Sequence, residues 1–222
     1  MYKIESPADA CIFFSTRFVL NLKNVFLPAM DATPHRYFKL YKPYRYLSQF
    51  LTNDLKAKRK NFLGALHPFP EGSMAVGRLD EKSEGLLLLT TNGKFSTHVN
   101  TGGIEKEYYA QVDGIITDEA IGALKLGVEI GIDGLKYTTL PCKAHVIADP
   151  IVPDTSQKIR DDRHGPTSWV SITLTEGKFR QVRKMTSAVG FPTLRLVRYR
   201  VGEYTIEGMN TGDCLEIFPE EP

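Results

Sequence analysis

Cysteine is scarce in this chain, and long apolar runs are missing from it. The 222 residues include three cysteines, Cys11, Cys142 and Cys214, which stand far apart without the spacing of a disulfide framework or a thiolate metal site. The five histidines show no metal-ligand spacing, and no glycine-rich loop suited to a nucleotide appears. Apolar runs are short, as at residues 85–89, so no segment is predicted to span a bilayer. The expectation is a reducing, cytoplasmic setting, with no cofactor, no bound metal and no membrane partner.

Acidic side chains are nearly missing from two windows of the sequence. Residues 36–60 hold eight basic residues and a single acid, Asp54, while residues 177–200 hold seven basic residues and no acid. The net charge of the chain is only +2, so the rest of the sequence is acidic. Such segregation is typical of a surface that binds a polyanion, although two solvated basic faces would give the same pattern. These stretches are called the first and second basic windows below.

Composition and apolar patterning divide the chain into a short N-terminal segment and one large domain. Hydrophobic residues make up 42% and charged residues 24%, which is typical of a globular protein and excludes a disordered or fibrous one. Residues 1–33 lack a clear apolar period and lack the compact apolar stretch of a secretory signal. We interpret them as an N-terminal extension, with Met30 as an alternative start, and residues 34–222 as a single domain.

The domain is predicted to be mixed α+β with strands dominating. Strands are expected at residues 37–42, 86–91, 106–112 and 193–201, and helices at 118–126, capped by Thr117, and from about 179 to 189. Alternating residues predict a half-buried strand at 169–175, Asn92-Gly93 predicts a turn, and residues 149–167 predict a long polar loop.

The stretch with the most chemistry is GRLDEKSEG at residues 77–85. It places three carboxylates, an arginine and two glycines between a loop and an apolar strand. Loops held by a rigid sheet are where reactive groups usually lie. Asp80 and Glu84 fit an acid and nucleophile pair of a glycoside-cleaving enzyme, and the same residues also fit a solvated turn. The pattern alone leaves both interpretations open.

Four stretches, in order, resemble motifs of ribosomal RNA pseudouridine synthases of the small-subunit type. The first is KLYKP at residues 39–43 with Leu47-Ser48, and the second is GRLD at 77–80 followed by SEGLLLLT at 83–90. The third is KEY at 106–108, and the fourth is LTEGKFRQVRKM at 174–185, continued by VGFP and LRL. The resemblance extends from about residue 37 to 217. It implies the pseudouridine synthase fold, a long bent mixed sheet with flanking helices and a central active-site cleft.

The resemblance also implies a cofactor-free isomerisation of uridine to pseudouridine. Asp80 matches the essential aspartate, which attacks the anomeric carbon or removes the neighbouring ribose proton. Arg183 matches the arginine that pairs with this aspartate, and Tyr108 the tyrosine that stacks on the base. Leu196 would form the apolar floor of the pocket. Arg78 would hold the backbone of the extruded nucleotide, or form an ion pair with Glu81 or Glu84.

The resemblance further implies an RNA partner. Residues 1–33 do not resemble the N-terminal RNA-binding domain of many members, which favours a compact large-subunit type acting, as a monomer, on 23S ribosomal RNA or a pre-50S particle. A catalytically idle RNA-binding or ribosome-assembly factor is the alternative from a different class. Besides Arg78 and Leu196, the residues expected to contact RNA are Lys106, Lys178, Arg180, Gln181, Lys184 and Arg198.

Overall fold

The computed structural model describes residues 34–52 and 59–219. The N-terminal extension and residues 53–58 of the first basic window lie outside the described residues. Within the described stretches, no helix is long and apolar enough to cross a bilayer. The same stretches contain no group of three or more His, Cys, Asp or Glu side chains placed to hold a metal ion.

Strands dominate the domain, as predicted. The first half contains β1 (Tyr37–Lys42), β2 (Tyr46–Leu47), β3 (Asn61–Phe62), β4 (Met74–Val76), β5 (Glu84–Thr90), α1 (Gly93–Thr101) and β6 (Lys106–Asp113). The second half contains α2 (Asp118–Leu126), β7 (Glu129–Ile132), β8 (Leu135–Thr138), β9 (Lys143–Ile147), β10 (Thr167–Leu174), α3 (Gln181–Ala188), β11 (Thr193–Val201), β12 (Tyr204–Thr205) and β13 (Cys214–Ile217). The expected α+β class is confirmed.

One nine-stranded sheet organises these elements. Its main path runs β13-β1-β5-β11-β6-β10-β9, with β4 added to β5 and β12 added to β11. All pairs are antiparallel except β5 with β11, which run parallel over a short register near the middle of the sheet. Strand β5 is buried along its whole length because the sheet is covered on both faces, which explains its unbroken run of leucines. The loop before β5 therefore opens at the centre of the sheet.

Local sequence signals explain most of the helices. The Thr117 hydroxyl accepts from the backbone N–H of Ala120 and caps α2, as predicted. Helix α1 was not predicted, because Asn92-Gly93 resembles a hairpin turn. The Asn92 side chain instead accepts from the N–H groups of Lys94 and Phe95 and starts the helix.

Two local predictions about burial are wrong. Strand β10 was expected to be half-buried, but Ser171 and Thr173 are as buried as their apolar neighbours, and the Ser171 hydroxyl donates to Glu107. Phe179 was expected on the buried face of a helix starting near it. Helix α3 begins only at Gln181, so Phe179 precedes it and is 65% exposed.

Candidate active site

A cleft of about 410 Å³ opens over the centre of the sheet, which agrees with the expected central position. We call it the active cleft. Its walls are the loop before β5, the middle of β6 and β11, and the segment that joins β10 to α3. Seven of the eleven predicted site residues line it, namely Arg78, Asp80, Tyr108, Lys178, Arg180, Gln181 and Leu196. The other lining residues are Leu79, Ser83, Leu174, Glu176, Gly177, Phe179 and Val182.

The backbone beside Asp80 is fixed by a serine from the β2 region. The Ser48 hydroxyl donates to the carbonyl of Leu79 at 2.8 Å and accepts from the N–H of the same residue at 2.9 Å. The Leu79 side chain is buried in an apolar cluster with Leu63 and Leu87. One hydroxyl and one apolar anchor thus set the position of the residue next to the predicted catalytic carboxylate.

The rest of the same loop is held from three other directions. The backbone N–H of Arg45 donates to the carbonyl of Glu81, and Lys60 forms an ion pair with the Glu81 carboxylate at 2.6 Å. From helix α3, Arg183 donates to the carbonyl of Lys82 at 2.6 Å. Because separate elements hold consecutive loop residues, Asp80 is presented on a preorganised backbone.

Removing the Ser48 hydroxyl should slow catalysis more than its effect on stability explains. Ser48→Ala leaves two partly buried backbone groups without partners, so we expect a loss of about 1–2 kcal/mol in the free energy of unfolding. We also expect a fall in kcat with little change in KM, because Asp80 loses its orientation. The measurements are chemical denaturation and steady-state kinetics on an RNA substrate.

Ser168 provides a matched control for this experiment. Its hydroxyl donates to the carbonyl of Gly114 at 2.8 Å and accepts from the N–H of Ile116 at 2.9 Å, outside the active cleft. Ser168→Ala should therefore lose a similar amount of stability and keep kcat. Equal kcat values for the two alanine variants would contradict the orienting role of Ser48.

The positive partner of Asp80 differs from the one that the sequence implied. Nη1 of Arg180 lies 3.8 Å from Oδ2 of Asp80, and this is the ion pair that the structure forms. Arg183 points to Lys82 and Ser83 instead, and its Nη1 donates to the carbonyl of Thr193 at 3.3 Å. Burial and the neighbouring Arg180 lower the pKa of Arg183, while the charge of Asp80 opposes that shift. Arg183 thus supports the loop, and its expected direct pairing with Asp80 is corrected.

Tyr108 and Leu196 form the apolar side of the active cleft. Tyr108 on β6 is half-buried and packs against two of the apolar clusters of the domain. Leu196 on the neighbouring strand β11 is buried, and both residues line the cleft. The arrangement leaves an aromatic side chain and an apolar surface beside the Asp80 loop, as the predicted base-binding roles require.

Glu84 lies away from Asp80 in a buried network of its own. Its carboxylate accepts from Arg195 at 3.0 Å and from the Tyr41 hydroxyl at 3.4 Å, and Thr155 donates to its other oxygen. The side chain is 2% exposed and does not line the active cleft. The pairing of Asp80 with Glu84 as two glycosidase carboxylates is therefore wrong, because Glu84 serves as a structural counter-ion.

Several cations of the second basic window are also structural. Arg198 is 3% exposed and donates through Nε to the carbonyl of Leu86 at 2.7 Å. Lys106 is buried and donates to the carbonyl of Ile104, and burial lowers its pKa. Their assignment as RNA contacts is corrected. Arg195 and Arg200 likewise pair with carboxylates of the protein, so the cations left at the cleft are fewer than the sequence count suggests.

Arg78 stands at the mouth of the cleft without the ion pairs that were its alternative role. Glu81 is paired with Lys60, and Glu84 with Arg195. The Arg78 side chain is exposed and lines the active cleft. This placement agrees with a backbone-holding role in an RNA complex, which stays a prediction.

Glu176 lines the cleft, and the sequence pattern assigned no role to it. Its carboxylate accepts from the Tyr137 hydroxyl at 2.6 Å, from the N–H of Leu140 at 2.9 Å and from the Gln181 amide at 2.5 Å. Gln181 in turn accepts from the N–H of Lys178 at 2.9 Å. Gln181 is buried, so it positions the loop that carries Lys178 rather than reaching outward to RNA.

Lys42 is a buried lysine beneath the turn that carries Arg45 and Ser48. Its Nζ donates to the carbonyls of Pro43 at 2.9 Å and Tyr46 at 2.8 Å. Burial lowers the pKa of Lys42 to about 7, although the charge of Glu84 opposes this shift. One cation of the first basic window thus supports the turn whose residues hold the Asp80 loop.

The low pKa of Lys42 predicts a pH-dependent stability. Between pH 7 and the ordinary lysine pKa of about 10.5 the unfolded chain binds the proton that folded Lys42 releases, so stability rises with pH there. Relative to Lys42→Met, the free energy of unfolding should rise by roughly 1 kcal/mol per pH unit between pH 7 and 9. Urea denaturation at several pH values tests this, with exposed Lys125→Met as the charge-matched control. Parallel stability curves for wild type and Lys42→Met would contradict it.

Comparison with known proteins identifies the family to which the chain belongs. A sequence model described as RNA pseudouridylate synthase matches residues 36–188, which is more than half of the chain. The chain belongs to the RNA pseudouridylate synthase family. The resemblance of the four motifs is thereby confirmed, and the chain belongs to an isomerase family.

Individual members of the family support the same assignment. The chain is 36% identical over 192 residues to the ribosomal large subunit pseudouridine synthase E of Vibrio parahaemolyticus, covering 86% of this chain and 77% of that protein. It is 32% identical over 187 residues to the ribosomal large subunit pseudouridine synthase B of Bacillus subtilis, covering 83% and 69%. A crystal structure of a pseudouridylate synthase superposes with a TM-score of 0.66 at 23% identity, covering 83% of this chain and 71% of that one. The pseudouridine synthase fold is therefore confirmed.

Proposed function

We propose that this chain isomerises a uridine of large-subunit ribosomal RNA to pseudouridine. Its relatives in Vibrio parahaemolyticus and Bacillus subtilis are named as large-subunit synthases, and the chain spans more than two thirds of each. The observation that carries the proposal is the shared cleft: Asp80, Tyr108 and Leu196 come from three separate elements and line one cavity. The substrate agrees with the cytoplasmic setting expected from the sequence.

Asp80 is the residue proposed to act on the sugar. The N1–C1′ glycosidic bond must break, the freed uracil must turn, and C5 must join C1′, with the C5 proton lost and N1 gaining one. An ionised carboxylate serves either as the nucleophile at C1′ or as the base that removes the 2′ proton. Both routes need the carboxylate to be ionised and to face an open space. Asp80 is partly exposed and lines the open space of the active cleft.

Tyr108 and Leu196 are proposed to hold the uracil during its turn. The base must leave its stack to reach the site, as for other enzymes that act on nucleobases. A half-buried phenol ring offers a stacking surface, and a buried leucine offers a floor without hydrogen-bonding groups that would fix one orientation of the base. An unfixed base can rotate between bond cleavage and bond formation.

The cations at the rim are proposed to hold the RNA backbone. Lys178 and Arg180 line the active cleft, and Lys184 lies beside it on α3. Arg78 lines the same cleft. Since phosphate contacts dominate the affinity of proteins for RNA, these residues set binding, while Asp80 sets the chemistry. All of them come from one chain, and we propose that the enzyme acts as a monomer.

Mapping pseudouridines in ribosomal RNA tests the function directly. RNA from cells with and without this gene is compared at every uridine, and the deletion is complemented with wild type or with Asp80→Asn. We expect one large-subunit position to lose its pseudouridine in the deletion strain and to regain it only with the wild-type gene. An unchanged map would favour the idle RNA-binding factor, and loss of a small-subunit site would correct the substrate.

A further inference from the structure

Arg180 stands between the active cleft and a second depression in the surface. This depression has a volume of about 410 Å³ and lies between α3 and strand β7. We call it the basic depression. Besides Arg180, its lining residues are Glu129, Ile130, Gly131, Arg183, Lys184, Ser187 and Ala188. Arg180 is the residue that lines both cavities.

The charge of the basic depression is positive and largely unneutralised by the described residues. Lys184 donates to the carbonyl of Gly131 at 2.7 Å, and Arg183 donates to backbone carbonyls, which are neutral partners. The Nε of Arg183 is buried without a hydrogen-bond partner in the part of the chain that the structure describes. Glu129, the acid of the lining, is already paired with Lys136 at 2.8 Å. Arg180, Arg183 and Lys184 therefore line a space that contains no free carboxylate among the described residues.

The contact of Arg180 with Asp80 is weak enough to exchange. At 3.8 Å the two groups form an ion pair but not a hydrogen bond, and both side chains are partly exposed. Such pairs contribute little free energy, so a competing anion can replace the carboxylate. The backbone of Arg180 is held in the left-handed region at φ 52° by the turn that precedes α3, which places its side chain at the boundary between the two cavities.

We propose that the basic depression binds the phosphodiester next to the target uridine, and that Arg180 exchanges Asp80 for this phosphate when RNA binds. The proposal rests on the proposed function, because it assumes that RNA enters the active cleft. In the free enzyme Arg180 screens the carboxylate. In the complex the guanidinium moves to the phosphate, and the carboxylate is left facing the sugar. Binding of the correct backbone thereby prepares Asp80 for its reaction.

A double-variant cycle in RNA affinity tests the exchange. A transcript of large-subunit ribosomal RNA is incubated with wild-type protein, re-purified, and used as one RNA for all proteins, so that no turnover disturbs binding. Asp80→Asn releases Arg180 from its carboxylate and should tighten binding by about two- to fivefold. In the Arg180→Gln background, the same Asp80→Asn change should give no gain.

Lys184→Gln is the matched control for this cycle. It removes one cation of the basic depression but has no contact with Asp80, so it should weaken binding and leave the gain from Asp80→Asn intact. A gain that persists without Arg180 would overturn the exchange, since it would reflect general repulsion between Asp80 and RNA. No gain in the wild-type background would overturn it as well.

Pseudouridine formation in the first incubation is scored separately from binding. If the wild-type protein modifies neither this transcript nor cellular RNA, that result would count against the proposed function. The affinity cycle is still measured on the unmodified transcript, so the two failures are distinguishable.

Discussion

Asp80→Asn should abolish pseudouridine formation and leave the stability of the protein almost unchanged. The amide keeps the shape of the side chain but removes the ionised oxygen that both routes of the proposed reaction need. Nη1 of Arg180 lies 3.8 Å from Oδ2 of Asp80, and Arg180 is itself partly exposed. Losing this ion pair should therefore lower the free energy of unfolding by no more than about 1 kcal/mol. Activity should fall below detection in an assay that detects a thousandth of the wild-type rate.

Glu84→Gln is expected to lower the stability of the protein and to leave its activity intact. Glu84 is buried and pairs with Arg195, whose guanidinium is also buried, so the amide leaves a charge without its counter-ion. Breaking one side of a buried pair costs about 3 kcal/mol or more in the free energy of unfolding. Since Glu84 does not line the active cleft, the folded fraction should keep its activity.

The two variants together test the site, because one is expected to lose activity and the other to lose stability. Thermal denaturation and pseudouridine formation in a ribosomal RNA fragment are measured for both, with activity assayed well below the melting temperature of the weaker protein. An active Asp80→Asn protein would overturn the assignment of the site. An inactive but folded Glu84→Gln protein would restore a catalytic role for the second carboxylate.

The strands were predictable because their residues follow simple patterns. The apolar run of β5 and the boundaries of β1 and β6 come directly from apolar periodicity and turn residues. Helix α1 was missed because Asn92-Gly93 favours both a hairpin turn and a helix N-cap. The choice between them depends on Phe95 and Val99 packing under the sheet, a tertiary contact that a local pattern does not contain.

The second basic window was overinterpreted for a related reason. Arg198 was expected to contact RNA, but Arg195 and Arg198 both lie in buried surroundings. The register of β11 against β6 shifts on either side of these residues, so simple alternation does not assign their faces. The cations at the start of helix α3 were easier to place. Arg180, Arg183 and Lys184 have the i, i+3, i+4 spacing of one helix face and all line the basic depression, although Arg180 itself precedes the helix.

The Asp80 loop shows which features of a site a sequence motif predicts and which it does not. The motif singled out Asp80 as the predicted catalytic residue, because the expected chemistry needs one carboxylate in a defined local setting. The contacts that position it were not predicted. Ser48 was given no role, and Arg183 was expected to pair with Asp80 itself, because these residues lie 31 and 100 or more positions away in sequence from the loop residues that they contact. Contacts of that kind arise from topology, which brings the β2 region and α3 to the same loop.

Gly85→Ala should have the largest effect on folding of any change beside the site. Gly85 has a φ of +100°, and a Cβ there would lie 2.4 Å from the carbonyl oxygen and 2.8 Å from the nitrogen of Arg198. Both are backbone atoms of β11, at the parallel pairing of β5 with β11. Strand β11 has little room to retreat, because Val197 is fully buried and Arg198 donates to the carbonyl of Leu86.

Two costs therefore add at this position. An alanine at positive φ costs about 1–2 kcal/mol, and separating the strands disrupts buried packing as well, so we expect a loss of more than about 3 kcal/mol. Gly122→Ala is the matched control, because Gly122 lies inside α2 with open space around its Cβ and no positive φ. It should raise the free energy of unfolding by about 0.5–1 kcal/mol, as expected for glycine replaced by alanine in a helix. Chemical denaturation of both proteins gives the comparison, and equal stabilities would show that β5 and β11 do not meet this closely. Because Asp80 lies only five residues before Gly85, such a result would also contradict the described position of the strand that follows the Asp80 loop.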